Sequence, residues 1–254
     1  MTRIKCCGIA TPAELRAAVA AGADAVGVVA DVPVETHRAV DPATAARLFA
    51  AAPPFVTTVL VTMVDPGRAE TPATAGRLLE RLERTGADAI QVHGRPDPST
   101  IRTLVARTPP AVDVLVGVDP QPIAARSYAT GPDALVVDAP TASGRGGTGR
   151  RVDVERARAV LEAAEVPVVL AGGLGPGNVA EAVARVGPHA VDAATGLEDE
   201  DGRLDPERAA RFVAAAREGE PTAHGIESAE RTKSGTGREG ETGQSAERGE
   251  VSGT

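Results

Sequence analysis

Val166-Pro167-Val168-Val169-Leu170-Ala171-Gly172-Gly173-Leu174-Gly175-Pro176-Gly177-Asn178 holds one structural unit. A β-branched run comes first, a glycine pair stops it, and Leu174 to Asn178 opens a helical pattern. Strand, turn and helix repeat in this way when neighbouring strands are parallel, because each return needs a crossover. The same alternation extends through the first 217 residues. Further β-rich runs stand at Ile4–Cys7, Ala25–Val29, Val56–Val61, Ala89–Val92, Val112–Val118, Leu135–Val137 and Ala190–Asp192. Helix starts lie between most of them: Thr11-Pro12, Asp41-Pro42, Thr71-Pro72, Asp97-Pro98, Gly175-Pro176 and Asp205-Pro206. Proline is favoured at the first helical position, where its missing N–H costs nothing. Eight strands with intervening helices predict an α/β fold, a single-domain (β/α)8 TIM barrel. An open doubly wound sheet is the second reading, since it usually has fewer strands. Asp119 to Thr130 makes a poor helix, so the fifth helix is expected to be short or irregular.

Composition agrees with one folded domain and an appendage. The chain has 254 residues, 42% apolar and 24% charged, enough to bury a full core. From Glu218 to Thr254 only Ala223, Ile226, Ala229, Ala246 and Val251 are apolar, among eight glycines and eight glutamates. Such a stretch buries too little surface to offset its ordering entropy, so residues 218–254 are expected to form a disordered acidic tail after a barrel of residues 1–217. No window approaches the roughly 18 apolar residues of a membrane span. No hydrophobic stretch precedes a cleavage site at the N-terminus, so a cytoplasmic protein with no membrane partner is expected. Two adjacent cysteines make no disulfide framework, and no Cys/His spacing suggests a metal site. Net charge is −8, which argues against nucleic acid as a partner. Of 27 basic residues only Lys5 and Lys233 are lysine. A salt-rich cytoplasm and a GC-rich genome would each produce that bias.

In such barrels chemistry belongs to inward-facing side chains at the C-terminal strand ends. Along Ile4-Lys5-Cys6-Cys7, alternation puts Lys5 and Cys7 on one face. Cys7 is last on that face, and a lysine is out of place against helices, so both are assigned to the lumen. There a cation favours the thiolate, although two small thiols also serve as plain packing. Asp138 ends the sixth run, as a helix cap, a loop anchor or a reacting group. Gly144-Arg145-Gly146-Gly147-Thr148-Gly149 matches the dinucleotide pattern in letter only. It lies five residues beyond the strand and in a late unit, so an anion-binding loop fits better. Gly172-Gly173 and Thr195-Gly196 end the seventh and eighth strands, where barrels of this kind commonly hold phosphate. Together with Gly147, Thr148 and Gly149 they form the expected phosphate site. Gln91 and His93 share a face at the end of the fourth strand, and Arg38 lies in the loop after the second.

Taken in order, these motifs resemble the phosphoribosylanthranilate isomerase family over residues 3 to 217. They are Lys5-x-Cys7-Gly8-Ile9, Gln91-x-His93-Gly94, Asp138 with Gly146-Gly147-Thr148-Gly149, Leu170-Ala171-Gly172-Gly173-Leu174 with Asn178, and Asp192-x-x-Thr195-Gly196-x-Glu198. The resemblance implies an Amadori rearrangement of a phosphoribosyl substrate in tryptophan biosynthesis, with Asp138 as general acid and Cys7 as general base. It implies that Arg38 approaches the anthranilate carboxylate and that Lys5, Gln91, His93 and Asp192 support the site. It implies no metal, no cofactor, and a monomer or homodimer. Two departures stand out. Cys6 replaces an aliphatic residue, and Val28-Val29-Ala30 and Leu60-Val61-Thr62-Met63 lack the family's usual phenylalanines. Other phosphosugar barrels remain as alternatives: a dual-substrate isomerase of the histidine and tryptophan pathways, or a non-catalytic binding barrel.

Overall fold

The structure is a computed structural model and describes residues 1–65, 69–71, 73–138 and 153–220. The expected eight strands are present, each within two residues of its sequence bounds. In chain order the strands are β1 (Arg3–Cys7), β2 (Ala25–Ala30), β3 (Ala39–Val40), β4 (Thr57–Met63), β5 (Ala89–His93), β6 (Asp113–Val118), β7 (Ala134–Val137), β8 (Val168–Leu170) and β9 (Ala190–Ala193). All pairings are parallel, and β1 pairs with both β9 and β2, which closes the barrel. The two-residue β3 was not expected; it lies on the C-terminal end of β2 inside the loop that carries Arg38.

The helices are α1 (Pro12–Ala21), α2 (Pro42–Ala50), α3 (Ala73–Thr85), α4 (Pro98–Arg107), α5 (Pro122–Ser127), α6 (Val154–Ala163), α7 (Val179–Val186) and α8 (Pro206–Glu218). Thr11 and Glu14 form a reciprocal capping box on α1, and Asp41, Asp97 and Asp205 cap helices that begin with proline. α7 begins three residues after the expected Pro176. Asn178 Oδ1 accepts the Gly175 N–H at 2.8 Å and holds Gly175–Asn178 as a turn instead of a first helical turn. α5 has six residues, and its first turn has no side-chain cap. Tyr128 ends it, with its ring buried and its hydroxyl donating to the Pro96 carbonyl.

A repeat in the chain fixes the lower rim. Gly22-Ala23-Asp24-Ala25, Gly86-Ala87-Asp88-Ala89 and Gly131-Pro132-Asp133-Ala134 each enter a strand, and Gly187-Pro188-His189-Ala190 is a fourth copy with His for Asp. Each glycine has positive φ, between +63° and +138°. Each Asp then accepts the first free N–H of the preceding barrel strand, at Ile4, Thr58 and Val114, always at 2.8 Å. A strand start that would otherwise leave a backbone donor unpaired is thereby satisfied.

Strand register stacks the inward side chains in layers of four from alternate strands. The lowest layer is Ala25, Ala89, Ala134 and Ala190, and so much missing volume leaves a cavity of about 430 Å³ at that end. Above it come Lys5, Val59, Leu115 and Val169, then Gly27, Gln91, Val136 and Asp192. The fourth layer is Cys7, Val61, Gly117 and Ala171; Val29, His93 and Asp138 stand at the top. The outward strand faces carry the main core against the helices, with Ile4, Leu60, Ile90, Leu135 and Leu170 at 1% exposure or less.

Candidate active site

The two cysteines separate as alternation requires. Cys6 is fully buried among the helix-facing apolar residues, and burial pushes its thiol up to about 12. Cys7 opens onto a cavity of about 260 Å³ at the C-terminal mouth, and Asp138 lines the same cavity from β7. Arg38, His93, Gly172, Gly173, Asp192, Thr195 and Gly196 line it too. Lys5 is rooted two layers below Cys7, and its ammonium reaches up to Asp192. Gly147, Thr148 and Gly149 fall outside the described residues.

Lys5 Nζ reaches Asp192 Oδ2 at 2.8 Å, with both side chains almost fully buried. Burial alone would discharge the ammonium, but Asp192 and then Cys7 raise its pKa and keep it charged. The same charge acts on the Cys7 thiol. Burial raises that thiol, Lys5 lowers it, Asp192 raises it, and Arg38 lowers it slightly; the net direction is upward. The expected influence of Lys5 is therefore present in sign, while burial outweighs it. Both groups fit because Gly27 has no side chain. A Cβ there would lie 2.8 Å from Cys7 Sγ and 3.0 Å from Lys5 Nζ.

Gly117 makes room in the same way. A Cβ on it would stand 2.6 Å from His93 Nδ1. His93 Nε2 lies 2.7 Å from Gln91 Nε2, and burial, helped by Lys5, lowers the imidazole pKa to about 4. His93 is thus neutral at physiological pH, with Nε2 as the acceptor for the Gln91 amide. It contributes shape and a hydrogen bond, not charge.

Arg38 is more constrained than a loop arginine should be. Its stem lies over Gly8, which has φ +85° and where a Cβ would meet Arg38 Cδ at 2.7 Å. Its Nε donates to Glu198 Oε1 at 2.5 Å and its terminal nitrogen to Thr195 Oγ1 at 3.0 Å. The guanidinium therefore ties the β2–α2 loop to the turn after β9, at the cavity wall.

Two backbone loops complete the rim. Gly172 and Gly173 have φ of +90° and +62°, and Asn178 Nδ2 donates to the Gly173 carbonyl at 3.0 Å. Gly196 packs so closely against this loop that a Cβ would lie 1.9 Å from the Leu174 carbonyl oxygen. Two side-chain-free backbones meet here, a surface suited to an anion.

Sequence reasoning missed four contributors. Gly27 and Gly117 interrupt β-rich runs at lumen parity, and a glycine inside a strand often marks a close approach. Glu198 stood in a motif without a role. The wall formed by Val29, Val32, Val34, Val61 and Met63 replaces the absent phenylalanines with aliphatic surface.

Comparison with known proteins points one way. Residues 4–215 match the family model described as N-(5'-phosphoribosyl)anthranilate isomerase. A relative of that name from Halorubrum lacusprofundi is 50% identical over 216 residues, covering 85% of this chain and 97% of its own. Among solved structures, the phosphoribosyl anthranilate isomerase of Thermus thermophilus has a TM-score of 0.70 at 27% identity, covering 85% of this chain and 98% of its own. Another isomerase of the same kind was solved with reduced 1-(o-carboxyphenylamino)-1-deoxyribulose 5-phosphate. Its TM-score is 0.68 at 26% identity, with coverage of 85% and 99%.

Proposed function

The chain belongs to the N-(5'-phosphoribosyl)anthranilate isomerase family, and from that premise we propose which of its residues carry the reaction. The protein is an isomerase of tryptophan biosynthesis that converts N-(5-phosphoribosyl)anthranilate to 1-(2-carboxyphenylamino)-1-deoxyribulose 5-phosphate.

Asp138 donates a proton to the furanose ring oxygen. The C1–O bond breaks as the nitrogen lone pair forms C1=N. Cys7 then takes the C2 proton as a thiolate, the electrons move into C1=C2, and nitrogen regains its pair. Ketonisation at C2 with protonation of C1 completes the rearrangement. Every electron pair stays within the substrate, so the scheme is general acid–base catalysis throughout. The observation that carries this reading is that Cys7, at the end of β1, and Asp138, just after β7, line one cavity.

The rest of the substrate is assigned by chemistry. The phosphate sits against Gly172, Gly173, Thr195 and Gly196, joined by Gly147, Thr148 and Gly149 from the sixth unit. Arg38 faces the anthranilate carboxylate, and the valine wall takes the ring. Lys5 and Asp192 hold a positive charge below Cys7, which opposes the cost of a buried thiolate. The enzyme is taken to act as a monomer or a homodimer in the cytoplasm. Complementation tests this reading: wild-type chain should restore growth of a tryptophan auxotroph lacking the isomerase, and Cys7→Ala should not. Growth restored equally by both would contradict it.

A further inference from the structure

Two acceptors at the cavity floor lack a donor among the described residues: Gln91 Oε1 and Asp192 Oδ1. Gln91 is 1% exposed and Asp192 6%, and both side chains line the cavity. They belong to one layer, on β5 and β9, which stand across the lumen from each other. Gly27 and Val136, which complete that layer, have no side-chain donor to offer.

The remaining polar atom of each side chain is already engaged. Gln91 Nε2 is 2.7 Å from His93 Nε2, and Asp192 Oδ2 is 2.8 Å from Lys5 Nζ. The Lys5 bond fixes the Asp192 carboxylate, and with Nε2 donating to His93 the Gln91 amide turns Oε1 into the lumen. A buried acceptor without a donor is costly, and a carboxylate oxygen more so than an amide. Two in one floor call for a ligand that brings donors. The acceptors repel an anion, and Lys5 beside them disfavours a cation. Neutral O–H groups fit.

We propose that this floor is a receptor for the vicinal hydroxyls of the ribose, with Asp192 Oδ1 accepting from the 2-hydroxyl and Gln91 Oε1 from the 3-hydroxyl. The proposal rests on the functional reading above, which brings C2 to Cys7. β9 is the hydrogen-bonded neighbour of β1, with Lys5 opposite Asp192 in register. A 2-hydroxyl drawn down to Asp192 leaves the C2 hydrogen free to face Cys7, one layer up. The 3-hydroxyl then extends across the lumen to Gln91. Gln91 and Asp192 are positioning residues here, and they read the sugar while the phosphate loops hold its other end.

The test deletes the hydroxyl and the acceptor in turn. Wild-type and Gln91→Met enzymes are assayed with N-(5-phosphoribosyl)anthranilate and with its 3-deoxy analogue. Wild type should lose roughly ten- to a hundredfold in kcat/KM on the 3-deoxy substrate, because the buried acceptor loses its donor. Gln91→Met should lose a similar factor on the natural substrate and little more on the analogue. Equal losses from the mutation on both substrates would overturn the proposal. A second measurement needs no variant. Wild type should bind the reduced product analogue at least tenfold more tightly than its 3-deoxy form, and equal binding would overturn the proposal even if Gln91→Met fails to fold. Wild type inactive on the natural substrate would instead overturn the functional reading itself.

Discussion

Lys5 Nζ and Asp192 Oδ2 meet at 2.8 Å inside the barrel, one layer below Cys7. A sealed ion pair of this kind is weak evidence of stabilisation, because desolvating both charges offsets their attraction. Its position explains it better. The ammonium is held charged within reach of a thiol that burial pushes up, and it opposes part of that rise.

Removing that charge should move the thiol further up. In Lys5→Met, the rate of iodoacetamide alkylation at Cys7 should reach its half-maximum at higher pH than in wild type, and the alkaline rise of kcat should shift with it. The Lys5→Met/Asp192→Asn double variant leaves no unpaired buried charge and should shift in the same direction, since Lys5 acts on Cys7 more strongly than Asp192 does. An unchanged alkylation profile in both would show that Lys5 does not act on the Cys7 thiol.

Arg38 owes its place to Glu198. Glu198→Gln weakens the bond to Arg38 Nε and should raise KM by roughly five- to thirtyfold, the equivalent of about 1–2 kcal/mol, with kcat within threefold of wild type. Gly8→Ala should act in the same direction, because its Cβ would strike the Arg38 stem. Steady-state kinetics check this, and a KM unchanged in both variants would contradict it.

His93 gives the fold a defined acid response. Its folded pKa, about 4, lies below the ordinary 6.5. Between those values the unfolded chain binds a proton that the native state refuses. Stability contributed by neutral His93 is therefore complete above about pH 6.5 and is lost as pH falls towards 4, at roughly 1.4 kcal/mol per pH unit. Urea unfolding at pH 7 and pH 5 should show this loss, and a His93→Asn variant should show a shallower slope. Identical slopes would mean that His93 is not what titrates.

The repeated carboxylates at the lower rim should matter for stability alone. Asp88→Ala should cost more than Asp24→Ala or Asp133→Ala, about 2–3 kcal/mol against about 1–2, because Asp88 accepts from both the Thr58 N–H and its hydroxyl. Urea midpoints rank the three, and kcat should stay near wild type. A reversed ranking would show that these bonds do not set rim stability.

Strand number, helix starts and the parity of the two cysteines were legible because each follows from local rules: β-branched runs, proline after a cap, and alternation. Thr11-Pro12 needed no tertiary information to be placed as a helix start. The sixth-unit glycines lie outside the described residues. Gly27 and Gly117 were not read as site residues, because their role is to leave space for Lys5, Cys7 and His93, which approach from other strands. Glu198 was in view as a motif letter, but its partner Arg38 lies 160 residues away. Asn178 shows the limit of a local rule. Its bond to Gly175 delays a helix that proline alone would have started at Pro176.

The proposed acid–base pair is Cys7 and Asp138, with Cys6 as packing. It is tested most directly by kcat for Cys7→Ala, Asp138→Asn and Cys6→Ala, each measured beside a thermal melt. Cys7→Ala and Asp138→Asn should each lose about 10²–10⁴-fold in kcat with melting close to wild type. Cys6→Ala should keep its kcat and lose about 1 kcal/mol of stability from its fully buried site. An active Cys7→Ala beside an inactive Cys6→Ala would contradict both the assignment of the base and the strand face on which it rests.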